Sequence, residues 1–272
     1  SRGLGDVYKR QATGAGENPL AFPGWTLPGV VGAGAIQTMI NVHRVPVGKR
    51  VLMIGSGNVG LIVSYQLLQS GTEVAGIVEA APQVGGYGVH AAKIRRAGVP
   101  MYTGHTVLEA VPNEDMSGLK GAIVAEVDNK FQPIKGTEQF IECDTIGIAV
   151  GLTPDIGLPS MADVTFVNAG RLGAQVPMHD RNMETTKEGI YVAGDSSGVE
   201  EASSAIEEGK LAGIAAAEAL GKIDQATADE AKTNVWNSLN QLRTGPFGSG
   251  RADAKEKIIE QMEEWKVKNN AR

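Results

Sequence analysis

Six consecutive residues, Gly55-Ser56-Gly57-Asn58-Val59-Gly60, have the spacing G-x-G-x-x-G. In that pattern the first glycine makes a tight turn, the second lets backbone amides approach a pyrophosphate, and the third permits close helix packing. A helix N-terminus at the same place adds partial positive charge. The hexapeptide alone is a weak signal in a glycine-rich chain. Here it follows the apolar run Val51-Leu52-Met53-Ile54 and opens an apolar segment, Leu61 to Gln69. Glu79 then closes the next strand-like run, Glu73 to Val78, about 20 residues beyond the loop, where an acid bonds the adenosine ribose. The plainer alternative is a glycine turn followed by a solvated acid.

Glu79 also bears on which dinucleotide fits. Its carboxylate can accept from the 2′- and 3′-hydroxyls, whereas a 2′-phosphate there meets a like charge. Ala80, Ala81 and Pro82 offer no compensating cation, and Arg95 and Arg96 lie on the next helical segment. The expectation is NAD(H) over NADP(H).

A second constellation spans Glu188 to Asp195. The run Ile190-Tyr191-Val192-Ala193 delivers Gly194-Asp195 at its carboxyl end, just before a long helix. In open α/β sheets ligands bind at that edge. Asp also caps turns, and spacing alone leaves the two readings level. The remaining candidates are weaker. Cys143, the single cysteine, excludes an intrachain disulfide framework and reads as structural. His43, His90, His105 and His179 have no metal-ligand spacing and read as ordinary surface or helix residues.

The elements positioning these groups read as strand, glycine turn, helix and strand over residues 50–79, a βαβ unit. Short strands between Pro100 and Cys143 suggest an antiparallel meander, and Thr145 to Val150 a buried strand. A helix from about Glu200 to Leu220 is expected to turn Ala202, Ala205, Ile206, Gly209, Ala212, Gly213, Ala216 and Leu220 inward. Two amphipathic helices follow, near 228–243 and 252–268.

Composition agrees with this α/β reading. The 272 residues include 36 glycines, about 13% against an average of ~7%. The net charge of −6 argues against nucleic acid as a partner. No apolar run reaches the ~18 residues of a membrane span, and the single cysteine suits a reducing cytoplasm. The opening SRGLGDVYKRQ, residues 1–11, lacks the apolar core of a secretory signal. It resembles translated adapter sequence and is read as non-native. Ala12-Thr13-Gly14-Ala15 reads as a strand end entering a turn, yet no strand is legible before it.

Taken in order, Ala12-Thr13-Gly14, the Gly55 to Gly60 loop with Glu79, Ile148-Ala149-Val150-Gly151 followed by Pro154, and Gly194-Asp195 resemble the FAD-dependent pyridine nucleotide–disulfide oxidoreductase superfamily. The stretch Ala15 to Val30 resembles the branch containing the FAD subunits of sarcosine oxidase, opine oxidase and hydrogen cyanide synthase. The resemblance implies two dinucleotide-binding folds, the NAD fold inserted into a truncated FAD fold. Residues 12–47 would end the first FAD segment and cross over. Residues 48–151 would form the NAD domain, 152–222 the returning FAD segment, and 223–272 the C-terminal helices.

Within that scheme Asp195 would bond the ribityl chain of FAD, the helix near Glu200 would face the flavin pyrimidine edge, and Gly151 would line the nicotinamide side. The family's first glycine loop, which cradles the FAD pyrophosphate, is not in the sequence. Weak FAD binding by this chain is therefore expected. The Cys-x-x-Cys of thioredoxin-reductase relatives is likewise not found in residues 48–151. The implied activity is hydride exchange between NAD(H) and FAD, with electrons passed to or from a substrate or partner subunit. The alternative is a dinucleotide-binding scaffold subunit of an amine or amino-acid dehydrogenase complex whose catalysis lies on another chain. A flavin-free NAD dehydrogenase ranks last, because residues 152–272 read as half a dinucleotide fold.

Overall fold

The computed structural model describes residues 9–270. Most of the adapter-like segment, residues 1–8, lies outside the described residues. Lys9–Gln11 form strand β1, which pairs in parallel with the strand Ile190–Val192. This corrects the expectation that no strand precedes Ala12. Three polar residues carry no apolar alternation, so only the backbone pairing reveals the strand. The chain divides into two units, one made of residues 17–151 and the other of the segments up to 16 and from 152 onward. Strand β2 (Ala15–Glu17) stands where the chain passes from one to the other.

The 17–151 unit is built on a five-stranded parallel sheet. Its strands are β3 (Val30–Gly32), β4 (Arg50–Ile54), β5 (Glu73–Glu79), β6 (Met101–Thr103) and, after the meander β7 (His105–Pro112), β8 (Leu119–Glu126) and β9 (Gln139–Glu142), strand β10 (Thr145–Ile148). The order is β3-β10-β4-β5-β6. Residues 30–32, expected in the FAD segment and crossover, are thus an edge strand of this sheet.

Alternation along β4 explains its unbroken apolar run. Val51 and Met53 pack against Ile36 of α1 (Ala33–Thr38), Leu61 and Leu67 of α2 (Asn58–Gln69) and Ile94 of α3 (Gly88–Arg96). Leu52 and Ile54 pack on the opposite face against Val107, Ala122 and Val124 of the meander. A parallel sheet covered on both faces requires apolar residues at every position.

The other unit contains strand pairs and helices. After β11 (Leu152–Pro154), which pairs with β2, and α4 (Gly157–Met161), the hairpin β12 (Phe166–Ala169) and β13 (Ala174–Pro177) packs on α7 (Gly245–Asn270). Strand β14 (Ile190–Val192), the partner of β1, packs on α5 (Ala202–Ala219) and α6 (Gln225–Leu242). Asp224 caps α6 by accepting from Thr227 N at 2.9 Å.

The expected inward stripe of α5 holds at Ala212, with Ala216 packed at the core's margin, and fails in register elsewhere. The buried residues are Ser204, Glu208, Leu211, Ala212 and Ala215, while Ile206 is 59% exposed. A glutamate occupies the core position because cations from α6 and α7 meet it there. Among the described residues, no helix is long and apolar enough to cross a membrane.

Candidate functional site

The three motif glycines differ in what surrounds them. Gly55 has φ +104°, a region that strains any side chain, and a Cβ there would lie 2.3 Å from the Ala149 carbonyl oxygen. A Cβ on Gly60, in the first turn of α2, would come 2.1 Å from the Gly55 carbonyl oxygen. Packing against the protein itself fixes both. Gly57 has φ −64°, and a Cβ there meets no atom within 4 Å. It is the N-cap residue of α2, where no side chain caps the helix. On the Cβ side of Gly57 the positive end of the helix dipole therefore has free space beside it, as an anion site requires. Asn58 begins the helix, and Val59 beside it is exposed.

Glu79 ends β5 beside this loop. Its Oε2 accepts from Ser56 N at 2.9 Å and Ser56 Oγ at 2.7 Å, and its Oε1 accepts from Ala81 N at 2.9 Å. A carboxylate offers about four acceptor directions. The geometry thus leaves room for one ribose hydroxyl rather than the two expected. Arg95 and Arg96 are exposed in the last turn of α3, roughly 11 Å along the helix from its start at 1.5 Å per residue.

Gly85 and Gly86 join the site without having been expected there. Gly85 N donates to Ser56 Oγ at 3.0 Å, Gly86 N to Ser56 O at 2.9 Å, and Tyr87 N to Asn58 Oδ1 at 2.8 Å. A Cβ on Gly86 would lie 2.7 Å from Leu61 Cδ1. The signal in the sequence is the run Gly85-Gly86-Tyr87-Gly88, which by itself marks only the approach to a helix.

Gly151 follows β10, the neighbour of β4 in the sheet, with Ile148 opposite Ile54. It has φ +113°, and its carbonyl accepts from Asn18 N at 3.0 Å. Gly55–Gly60, Glu79 and Gly151 therefore share one carboxyl edge of one sheet. Cys143 is buried, and burial, with Asp144 adding to it, pushes its thiol up to about 12. It is no nucleophile near neutral pH.

In the other unit, Gln11 stands opposite Val192 in the β1–β14 pair. That register places Ala12-Thr13-Gly14 and Gly194-Asp195 beyond the carboxyl ends of adjacent strands. Thr13 Oγ1 donates to Asp155 O at 3.0 Å, and Asp155 N donates to Gly14 O at 2.9 Å. Asp195 is partly buried and accepts from Glu200 N at 3.4 Å, a long contact. Burial pushes its carboxyl up from the ordinary value, and the neighbouring Glu208 charge acts in the same direction.

Glu208 lies behind this turn. Burial opposes its ionisation, but Lys255 and Arg243 outweigh that and hold it down at about 2. His179 is not the ordinary surface or helix residue expected. It is 1% exposed, and burial, with the Lys255 charge, pushes it down to about 4.

Residues 11–209 match the family described as pyridine nucleotide-disulphide oxidoreductase. An opine oxidase subunit from Rhizobium meliloti is 28% identical over 232 residues, covering 78% of this chain and 48% of that protein. The HcnB subunit of hydrogen cyanide synthase from Pseudomonas aeruginosa is 26% identical over 256 residues, covering 86% and 54%. The alpha subunit of sarcosine oxidase from Corynebacterium sp. is 30% identical over 210 residues, covering 77% and 20%. The chain spans about half the length of the opine oxidase and hydrogen cyanide synthase relatives.

Among solved structures, thioredoxin reductase from T. acidophilum aligns with a TM-score of 0.62 at 22% identity, covering 77% of this chain and 64% of that one. At that identity the likeness concerns the fold alone. The family match extends over most of the sequence and includes the residues of both edges, and on that ground the chain belongs to the pyridine nucleotide-disulphide oxidoreductase family of flavoprotein oxidoreductases.

Proposed function

We propose that the chain binds NAD(H) at the Gly55–Gly60 loop and supplies part of a FAD site at the Ala12–Gly14 and Gly194–Asp195 edge. Its reaction is hydride exchange between the two, with electrons passed to or from a substrate or partner subunit. The proposal includes a NAD fold inserted in a FAD fold, for which the discontinuous unit speaks. A cytoplasmic location, which the single cysteine suits, belongs to the same proposal.

The observation that carries the reading is the open space over Gly57 at an uncapped helix start, next to a fixed carboxylate. The residues present fit the groups concerned. Gly57 admits a pyrophosphate, α2 offsets its charge, and Glu79 accepts from a ribose hydroxyl. Asp195 presents an acceptor of the kind a ribityl hydroxyl needs. When bound, the two cofactors supply the hydride donor and acceptor, while the protein aligns them. The opine oxidase, hydrogen cyanide synthase and sarcosine oxidase relatives are all subunits by name. That favours the second reading, a dinucleotide-binding scaffold with catalysis on another chain.

Titrating the full chain with NADH and NADPH tests the cofactor choice. One hydrogen bond to a carboxylate contributes about 1.5–3 kcal/mol, and like charge repels a 2′-phosphate, so preference for NADH is expected on the order of 100-fold. Glu79→Ala should bring the two affinities within about threefold of each other. Equal binding by the native chain, or an unchanged ratio in the variant, would make Glu79 a bystander.

A further inference from the structure

Two charged residues outside the family match converge on the Gly194–Ser197 turn. Arg243 caps the end of α6, and Lys255 lies in α7, whereas the match ends at residue 209. Their side chains are 6% and 3% exposed, and those of the partners Glu200 and Glu208 are 5% and 3%. Glu208 Oε1 accepts from Arg243 Nη2 at 2.6 Å and pairs with Lys255 Nζ at 2.7 Å. Its Oε2 accepts from Gly194 N at 2.9 Å and Ser197 Oγ at 2.8 Å. One carboxylate thus binds two cations from the C-terminal helices on one side and both ends of the turn on the other.

Lys255 Nζ also donates directly to Ser197 O at 3.0 Å and Ser197 Oγ at 2.8 Å. A second arm runs from Arg243, which grips Glu200 with two bonds of 3.0 and 2.9 Å, to the Glu200 N–H that reaches Asp195. Both arms end on the residue at the proposed flavin edge or on its immediate neighbours.

We infer that Lys255 and Arg243 are positioning residues for Asp195: through Glu208 and Glu200 they fix the turn that carries it, so the FAD edge depends on α6 and α7. The inference deepens the proposed FAD site and rests on it. Without either cation Glu208 keeps a buried charge with too few donors, and the cheapest relief is to leave the turn for water. Gly194 N then loses its acceptor, Ser197 Oγ is left with the Gly194 carbonyl at 2.7 Å, and the turn that carries Asp195 loses its tie to the helices.

The test uses the full chain, native and as Lys255→Met, with Glu208→Gln as a milder variant that keeps the shape but one acceptor fewer. Amide hydrogen exchange without flavin reads the turn, and titration with FAD reads the site. The expected result is at least tenfold faster exchange for residues 194–198, with unchanged exchange at Leu52 and Ile77, and at least tenfold weaker FAD binding in both variants. Lys255→Arg, which keeps the charge, should recover much of the protection.

Unchanged exchange at 194–198 in either folded variant overturns the inference. So does uniform acceleration across the whole 152–270 segment in both variants, or native FAD affinity alongside a loosened turn. If the native chain binds no FAD, the proposed FAD site fails instead, and exchange at 194–198 still decides whether these cations hold the turn.

Discussion

The two candidate edges end parallel strands in the same way, but different forces hold them in place. At the Gly55 loop, order comes from the backbone and from near neighbours. Glycines fit where no Cβ can, and Glu79, Gly85 and Gly86 bond back to Ser56 within about 30 residues. At the Gly194 turn, order comes from ionic side chains delivered by helices up to 58 residues away in sequence. The contrast teaches that a shared edge position does not imply a shared sensitivity. The first edge responds to volume, the second to charge and protons.

Removing a cation should show the difference most strongly. Arg243→Met leaves Glu200 and Glu208 buried with too few partners, a change that costs about 3–5 kcal/mol. Urea unfolding followed by tryptophan fluorescence should register that loss, because Trp236 and Trp265 both pack in this unit. Amide exchange at Val51–Ile54 should stay native. Equal loss of protection there would erase the distinction between the edges.

Acid should act on the same unit. His179 is neutral in the folded state down to about 4 against an ordinary 6.5, so the unfolded chain takes up the proton first. Its contribution is complete above pH 6.5 and fades as pH falls to about 4, on the order of 3 kcal/mol. Glu208, lowered from 4.5 to about 2, contributes above pH 4.5 and loses that as pH falls toward 2. The groups facing His179 are Lys255, Glu208 and Asp180. Unfolding midpoints measured from pH 7 to 4 should therefore drop for residues 152–270, and His179→Asn should flatten the upper part of that slope. A slope of the same size at Val51–Ile54 would contradict the assignment.

The smallest effects separate two glycines of one loop. Gly60→Ala places a Cβ against the Gly55 carbonyl and should destabilise by about 2–3 kcal/mol. Gly57→Ala meets open space and should change the melting midpoint little, while weakening NADH binding about tenfold. If Gly57→Ala instead melts like Gly60→Ala and binds NADH normally, the open space is not a ligand cradle.

How much the sequence disclosed follows from the same division. The βαβ unit is legible because its determinants are local: an apolar run, a glycine spacing, an acid at a strand end. The Gly85-Gly86 pair lies in plain sight but has meaning only once it folds back on Ser56. The expected α5 register fails for a physical reason. Apolarity is the rule that assigns an inward face, and Glu208 breaks it because two cations arrive from beyond residue 240. Read alone, Arg243 and Lys255 are ordinary charges on amphipathic helices. Strand β1 escapes notice because a polar tripeptide is recognised only by its partner, about 180 residues away.

That long-range pairing has a consequence for synthesis. During translation β1 is made before β14 and must wait for it, roughly 10–40 s at 5–20 residues per second. The intervening 17–151 unit is contiguous and can fold while the chain grows. Folding brings its own ends together through the hydrogen bond from Asn18 N to Gly151 O at 3.0 Å. The loop that β1 and β14 must close then shrinks from about 180 flexible residues to about 45, which lowers the closure entropy by about 1 kcal/mol. The order of emergence from the ribosome thus does part of the work of joining the two strands.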